Sequence, residues 1–187
     1  MVGSITLLCA VLSLQSSAAP ASQGLAAAAV PPHEPRGHLS WVDATGLAAR
    51  IHAERGVQAE PILGMAHERP EPLAVVPISA HVRAEVRTAL AFWRMAAAAR
   101  RDGIELQVTS GFRSQEEQAV LFDLYRRGRG PLASRPGRSN HQSGHALDLE
   151  TRSPRVRKWL QRHAEDYGFH RTVPSERWHF EYWGRGE

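Results

Sequence analysis

Three stretches of the chain carry side chains able to do chemistry: SNHQSGHALD (139 to 148), SERWH (175 to 179) and SGFRSQEEQ (110 to 118). In the first, His141 and Asp148 stand seven residues apart, with Gly144 and the small Ala146 between them. Two potential metal ligands therefore flank backbone that can turn sharply and approach other atoms closely. Alternation from Gly144 onward puts Gly144, Ala146 and Asp148 on one face of a short strand and His145, Leu147 and Leu149 on the other, so Asp148 points where the small residues leave room. In the second stretch, Glu176 and His179 add what a zinc hydrolase would still need, a general base and a third ligand. A closed structural zinc site would require a fourth protein ligand, usually Cys, and the single cysteine, Cys9, lies far upstream in an apolar stretch. Two imidazoles and one carboxylate with an open position favour zinc over calcium or magnesium, which take more oxygen ligands.

The pattern S-x-H-x-x-G-x-A-x-D followed by E-x-W-H resembles that of the VanY-like zinc D-alanyl-D-alanine carboxypeptidases. These belong to a wider metallopeptidase group that includes lysostaphin-type enzymes and the hedgehog signalling domain. SGFRSQEEQ is similar to that family's substrate-binding segment and WHFEYWG to its closing strand, so the resemblance runs over residues 76 to 185. It implies that His141, Asp148 and His179 hold one zinc ion. Glu176 would take a proton from the attacking water and return it to the leaving amine. Arg113 would face the substrate, its planar fork gripping a carboxylate or the developing oxyanion. Gln118 would help orient the same peptide end, while Ser139 and Ser143 either bond the substrate backbone or hold the loop. Trp178 is expected to pack so as to fix His179, and His170 to lie near the site or hydrogen-bond behind it. Two positions depart from the pattern: Arg177 stands where Pro is common, and Glu181 where a basic residue is frequent. Glu181 shares the face of His179 and so bears on substrate preference.

The implied activity is removal of a terminal D-alanine from peptidoglycan stem peptides. Alternatives with the same metal are a D,D-dipeptidase, an L,D-carboxypeptidase and a murein endopeptidase. A zinc-containing binding module without turnover is a further alternative, although such a module would need neither Glu176 nor Arg113.

At 187 residues the chain is long enough to bury a real core. Residues 1–21 contain no charged side chain, ITLLCAVLSL reads as the apolar part of a secretory signal, and Ala19-Pro20-Ala21 as a small-residue cleavage site. The apolar run is short for a bilayer span, so no stable membrane anchor is expected. Residues 22–75 read as an Ala/Pro-rich linker and N-terminal extension, and 76–187 as the catalytic domain. Export and a net charge of +4 suit an anionic envelope polymer in the periplasm or cell wall. Charge alone would suit nucleic acid equally, but no RNA-binding motif or zinc-finger spacing supports that partner.

The expected fold class is α+β, a small antiparallel sheet with helices packed against it, like the hedgehog and D,D-peptidase domains. The elements follow from pattern. A short helix is expected over Trp41 to Arg55 with Trp41, Leu47, Ala48 and Ile51 inward, then irregular chain through Pro61, Pro70, Pro72 and Pro77. Ser79 would cap a helix to Arg101, with Val82, Val86, Leu90, Trp93 and Ala97 as its stripe. Ile104, Leu106 and Val108 alternate as a half-buried strand that delivers Arg113 to its end. A helix over 114–127 would bury Val120, Leu121, Leu124 and Tyr125, and GRGPLASRPGRS (128 to 139) is a loop. Ser153 and Pro154 open another helix, with Val156, Trp159, Leu160, His163 and Tyr167 inward. In the last strand Trp178, Phe180 and Tyr182 face the core, and Glu176, having the wrong parity to join His179, sits in the preceding turn.

Overall fold

Helix α2, Val86–Arg101, carries the stripe on which the other elements pack: Thr88, Phe92, Met95 and Ala99, with Ala89 beside them, are all buried. The computed structural model describes residues 41–184, of which 41–43 by backbone alone. The leader expected over 1–21 and the linker over 22–40 lie outside the described residues. No described helix is long and apolar enough to cross a membrane.

The stripe differs from the expected one. Leu90 and Trp93 are only partly buried at its margin, Ala97 is exposed, and the Arg55 guanidinium covers the Trp93 ring at 4.4 Å. Nor does Ser79 open the helix. Residues Arg83–Glu85 form strand β3, and Glu85 is the cap, its carboxylate accepting from the backbone N–H groups of Arg87 at 2.9 Å and Thr88 at 3.2 Å. Strand pairing claims the three residues that a helix begun at Ser79 would have used, and the helix starts where that pairing ends. Burial pushes the Glu85 carboxyl pKa up, against the opposing pull of Arg87.

Helix α1, Trp41–Arg55, spans the expected range, with Ile51 fully buried and Leu47 and Ala48 packed beside it, while the side chain of Trp41 lies outside the described residues. The chain after it is not irregular. Strands β1, Glu60–Ala66, and β2, Arg69–Pro77, form an antiparallel hairpin that β3 extends to three strands. Its prolines are accommodated by the alternation of the ladder. Pro61, Pro70 and Pro72 all fall on one set of facing pairs, Pro61 with Ala74, Leu63 with Pro72 and Met65 with Pro70. In an antiparallel ladder such a set can be the one that exchanges no hydrogen bonds. The Met65 N–H indeed points away from β2 and donates to Gln142 O at 2.9 Å. The missing proline donors are thus not needed.

The second sheet has four antiparallel strands in the order β4-β5-β7-β6: Val108–Ser110, Ala146–Leu149, His179–Tyr182 and Phe169–His170. Ile104 and Leu106 are buried and alternate as expected, although ladder pairing begins only at Val108. One face of this sheet, with Leu147, Leu149 and Phe180, lies in the same core cluster as α2. Fully burying each such side chain stabilises the fold by roughly 1.5–3 kcal/mol. Helix α4, Pro154–His163, adds Trp159 and Leu160 to that cluster, and the Trp159 indole N–H donates to Asp102 Oδ2 at 2.7 Å, tying α4 to the end of α2. His163, expected in the core, instead has its side chain 40% exposed beside Asp166. Helix α3, Gln115–Arg126, lies in the expected range and opens on a Ser114 cap, closed into a capping box by Glu117. Its expected buried face is corrected, because Val120 and Tyr125 are exposed and Gln118 is the buried residue.

Gly144 marks where the loop ahead of β5 crosses the start of α2. Its φ is +73°, and a Cβ there would lie 2.9 Å from both the N and Cβ of Glu85. The Glu85 N–H donates to Gly144 O at 3.2 Å across this contact. Gly144→Ala must bear the left-handed penalty of ~1–2 kcal/mol and force the two backbones apart. Urea unfolding should show the variant destabilised by at least that amount.

Candidate metal centre

Register brings the first two donors together. Asp148 on β5 pairs directly with His179 on β7, so both side chains rise from the same face of the sheet, opposite the core-facing pair Leu147 and Phe180. Ser110 also pairs with Asp148, because a bulge between Val108 and Ser110 shifts the register and turns Ser110 to this face while Val108 packs against the core. His141 arrives from a tight turn in which Gln142 N donates to Ser139 O at 2.9 Å and Gly144 N to His141 O at 3.1 Å. One ligand-capable atom from each of His141, Asp148 and His179 lies within 4.8 Å of the others.

The far sides of the rings are engaged. His141 Nδ1 meets Gly111 O at 2.7 Å, an atom that can only accept, so Nδ1 carries a proton, and Nε2 is turned to Asp148 Oδ1 at 3.4 Å. His179 presents Nδ1 to Asp148 Oδ1 at 3.0 Å and Nε2 to Glu181 Oε1 at 3.1 Å. Burial lowers the His141 pKa. For His179 burial acts the same way but is outweighed by Asp148 and Glu181, which raise it to about 9. Burial would raise the Asp148 carboxyl, yet hydrogen bonds from the two histidines hold it well below the usual carboxylate range. Two imidazole nitrogens and a carboxylate are turned toward one another, a donor set that fits a zinc ion.

A cleft of about 910 Å³ opens over these residues. Arg113 forms part of its wall, with NH2 3.6 Å from Asp148 Oδ2 and NH1 donating to Gln118 Oε1 at 2.9 Å. Burial pulls the arginine pKa down against Asp148, Glu117 and Glu176, and the guanidinium stays charged. Glu176 lies across the cleft in the expected turn, its N–H donating to Val173 O at 3.0 Å and its carbonyl accepting from His179 N at 3.2 Å. It is half-buried and lies outside the group of three donors. Ser139, half-buried, also lines the cleft.

The placements expected for Gln118 and Trp178 change, and for Ser143 the loop-holding alternative is the one seen. Gln118 is fully buried, and with Oε1 accepting from Arg113 and Nε2 donating to Ser134 O at 2.8 Å, both ends of its amide are engaged within the protein. Ser143 is buried outside the cleft lining, and its hydroxyl donates to Asn140 O at 2.9 Å, which holds the loop. Trp178 is 46% exposed on the cleft wall, because β7 begins only at His179 and the indole stays in the turn; its backbone carbonyl accepts from Leu149 N at 2.8 Å. His170 stacks on Trp183 at 4.6 Å and does not line the cleft. The full set of groups around Glu181 escapes sequence reading. Parity puts it beside His179, but its contacts with Thr172, Trp183 and Asn140 cross loop boundaries that periodicity does not span.

Residues 81–185 match the model of the VanY family, D-alanyl-D-alanine carboxypeptidase. YodJ of Bacillus subtilis (strain 168), whose name places it among the carboxypeptidases, is 32% identical over 131 residues, covering 56% of this chain and 47% of YodJ. The chain thus spans about half the length of that relative. Among solved structures, a mutant of the vancomycin-resistance D,D-pentapeptidase VanY from the VanB-type cassette, in complex with Zn(II), superposes with a TM-score of 0.53 at 26% identity, covering 66% of this chain and 87% of that one. VanYB in complex with D-alanine-D-alanine gives 0.54 at 26% identity, with 66% and 86% covered. The D,D-dipeptidase VanXYg bound to a D-Ala-D-Ala phosphinate analogue gives 0.51 at 25% identity, with 59% and 55% covered.

Proposed function

Since the chain belongs to the VanY family of D-alanyl-D-alanine carboxypeptidases, we propose that it is an exported zinc peptidase that hydrolyses the terminal D-Ala-D-Ala amide of peptidoglycan stem peptides. The observation that carries this reading is the convergence of His141, Asp148 and His179 at the base of a cleft whose walls hold Arg113 and Glu176. His141, turned in through Nε2, Asp148 through its carboxylate and His179 through Nδ1 would hold the ion. Zinc held there supplies Lewis acidity, polarising a carbonyl and making water more acidic.

The remaining steps belong to the chain. Arg113, fixed by Gln118 and Asp148, offers its fork to the peptide carboxylate or to the oxyanion formed as the carbonyl is attacked. Glu176 takes a proton from the attacking water, whose oxygen bonds to the carbonyl carbon. As the C–N bond breaks, the same carboxyl gives that proton to the leaving amine, and D-alanine departs. Ser139 on the rim is a candidate to bond the substrate backbone. A positively charged exported protein suits an anionic wall.

Zinc-loaded protein incubated with muropeptides of defined stem length, with products read by mass, tests this reading. Loss of one alanine from a pentapeptide stem is expected. Loss of a dipeptide, cleavage of a tetrapeptide stem or opening of a cross-link would identify the D,D-dipeptidase, L,D-carboxypeptidase or endopeptidase alternative, and zinc binding without cleavage a non-catalytic module. In the same assay Arg113→Lys keeps the charge but loses the two-pronged grip, and turnover should fall ~100-fold with zinc content unchanged. Wild-type turnover by this variant would show that the fork is not needed.

A further inference from the structure

We infer that Glu181 is a positioning residue that holds the Nε2–H of His179 and so turns the ring's Nδ1 lone pair toward the metal position. The inference rests on His179 being a zinc ligand, as proposed above. His179 Nε2 lies 3.1 Å from Glu181 Oε1, two residues along the same face of β7. Both ring nitrogens face carboxylates, which only accept: Nδ1 faces Asp148, itself one of the three metal donors, and Nε2 faces Glu181, so a metal held jointly with Asp148 would take the Nδ1 position while Glu181 keeps the remaining N–H on Nε2.

The carboxylate is itself held from several directions. Thr172 Oγ1, from the loop ahead of β7, donates to the same Oε1 at 2.7 Å. Trp183 Nε1, just beyond β7, donates to Oε2 at 3.3 Å. The Asn140 side chain, from the loop that carries His141, is a further hydrogen-bond partner. Glu181 is only 7% exposed. With its lone pairs taken up by these donors it is poorly placed to grip a substrate, in contrast to a role in substrate preference. His141 has the matching arrangement, its Nδ1 held by the Gly111 carbonyl, but with a neutral acceptor. An ionised acceptor behind a ligating imidazole fixes the ring and makes it a stronger donor.

Glu181→Gln keeps the size and removes the charge. In competition with a chromophoric chelator, the full-length variant should bind zinc ~10–100-fold more weakly than wild type, and its cobalt-substituted form should show a shifted visible spectrum. Thr172→Val, which removes one support of the carboxylate but not its contact with the ring, separates general loosening from ligand tuning and should leave the zinc affinity near wild type. Equal zinc affinity and an equal cobalt spectrum in Glu181→Gln would overturn the inference, as would equal weakening in both variants. A changed KM with unchanged zinc affinity would also overturn it and return Glu181 to a substrate role. Should Glu181→Gln fail to fold, ring nitrogen-15 shifts of zinc-loaded wild type decide: His179 with Nε2 protonated and Nδ1 metallated is expected, and the reverse overturns the inference. A wild-type chain that binds no zinc would strike the ligand assignment instead.

Discussion

Glu176→Gln is expected to lower turnover of a pentapeptide stem by a factor of ~10²–10⁴ while zinc content and unfolding midpoint stay at their wild-type values. Of the three carboxylates that the described residues bring to the cleft lining, Asp148 and Glu181 are both engaged by His179, and Glu176 is the one proposed to carry the proton. Its position is set by backbone bonds to Val173 and His179, and an amide in place of the carboxylate disturbs neither. The loss should therefore fall on kcat. Steady-state kinetics with parallel metal analysis checks it, and unchanged kcat would remove Glu176 from the chemistry.

His179→Ala should abolish both zinc retention and turnover. About one zinc per chain is expected in the wild type and none in the variant, measured by elemental analysis after gel filtration. Removing the ring also leaves the buried Glu181 and the largely buried Asp148 without the group that lay between them, though Asp148 keeps Arg113 at 3.6 Å. Stripping one partner from a buried charged cluster costs about 3–5 kcal/mol, so the variant should melt well below the wild type even with both free of metal. Full zinc occupancy in His179→Ala would refute the ligand assignment. Zinc loss without destabilisation would show that the two carboxylates separate freely.

Some of this was readable from letters alone, and the misses have physical causes. The spacing from His141 to Asp148 and the parity of Glu176 against His179 pointed to one strand and one turn, and the structure contains both. Parity reports which face a side chain takes, not what covers that face. Apolar spacing alone points Val120 and Tyr125 to a core that α3 does not reach, since the helix covers the cleft wall through Gln118. Trp178 was placed one residue inside a strand that starts after it. The bulge before Ser110 reverses the face count along β4 and leaves no mark in composition. Prolines at 61, 70 and 72 argued against strands, although a hairpin can place them all on pairs that exchange no hydrogen bonds. Nothing in the Ala/Pro-rich composition of 22–75 signals that Ile51 and Ala74 belong to the same apolar cluster as Leu147.

The rim of the cleft is strung between fixed points. Arg129 N is held by Leu124 O at 2.9 Å, Ser134 O by Gln118 Nε2, and Gly137 N by Gln142 Oε1 at 2.7 Å, while the turn of the first hairpin reaches over to donate from Glu68 N to Gly137 O at 3.0 Å. Between the first two of these points run only Gly130, Pro131, Leu132 and Ala133, and the last three line the cleft. Changes of length or side chain there alter the opening without passing through the turn that carries His141. These four positions form an exchangeable cassette, a place where the mouth of the cleft can be reshaped while the three donors beneath it stay where they are.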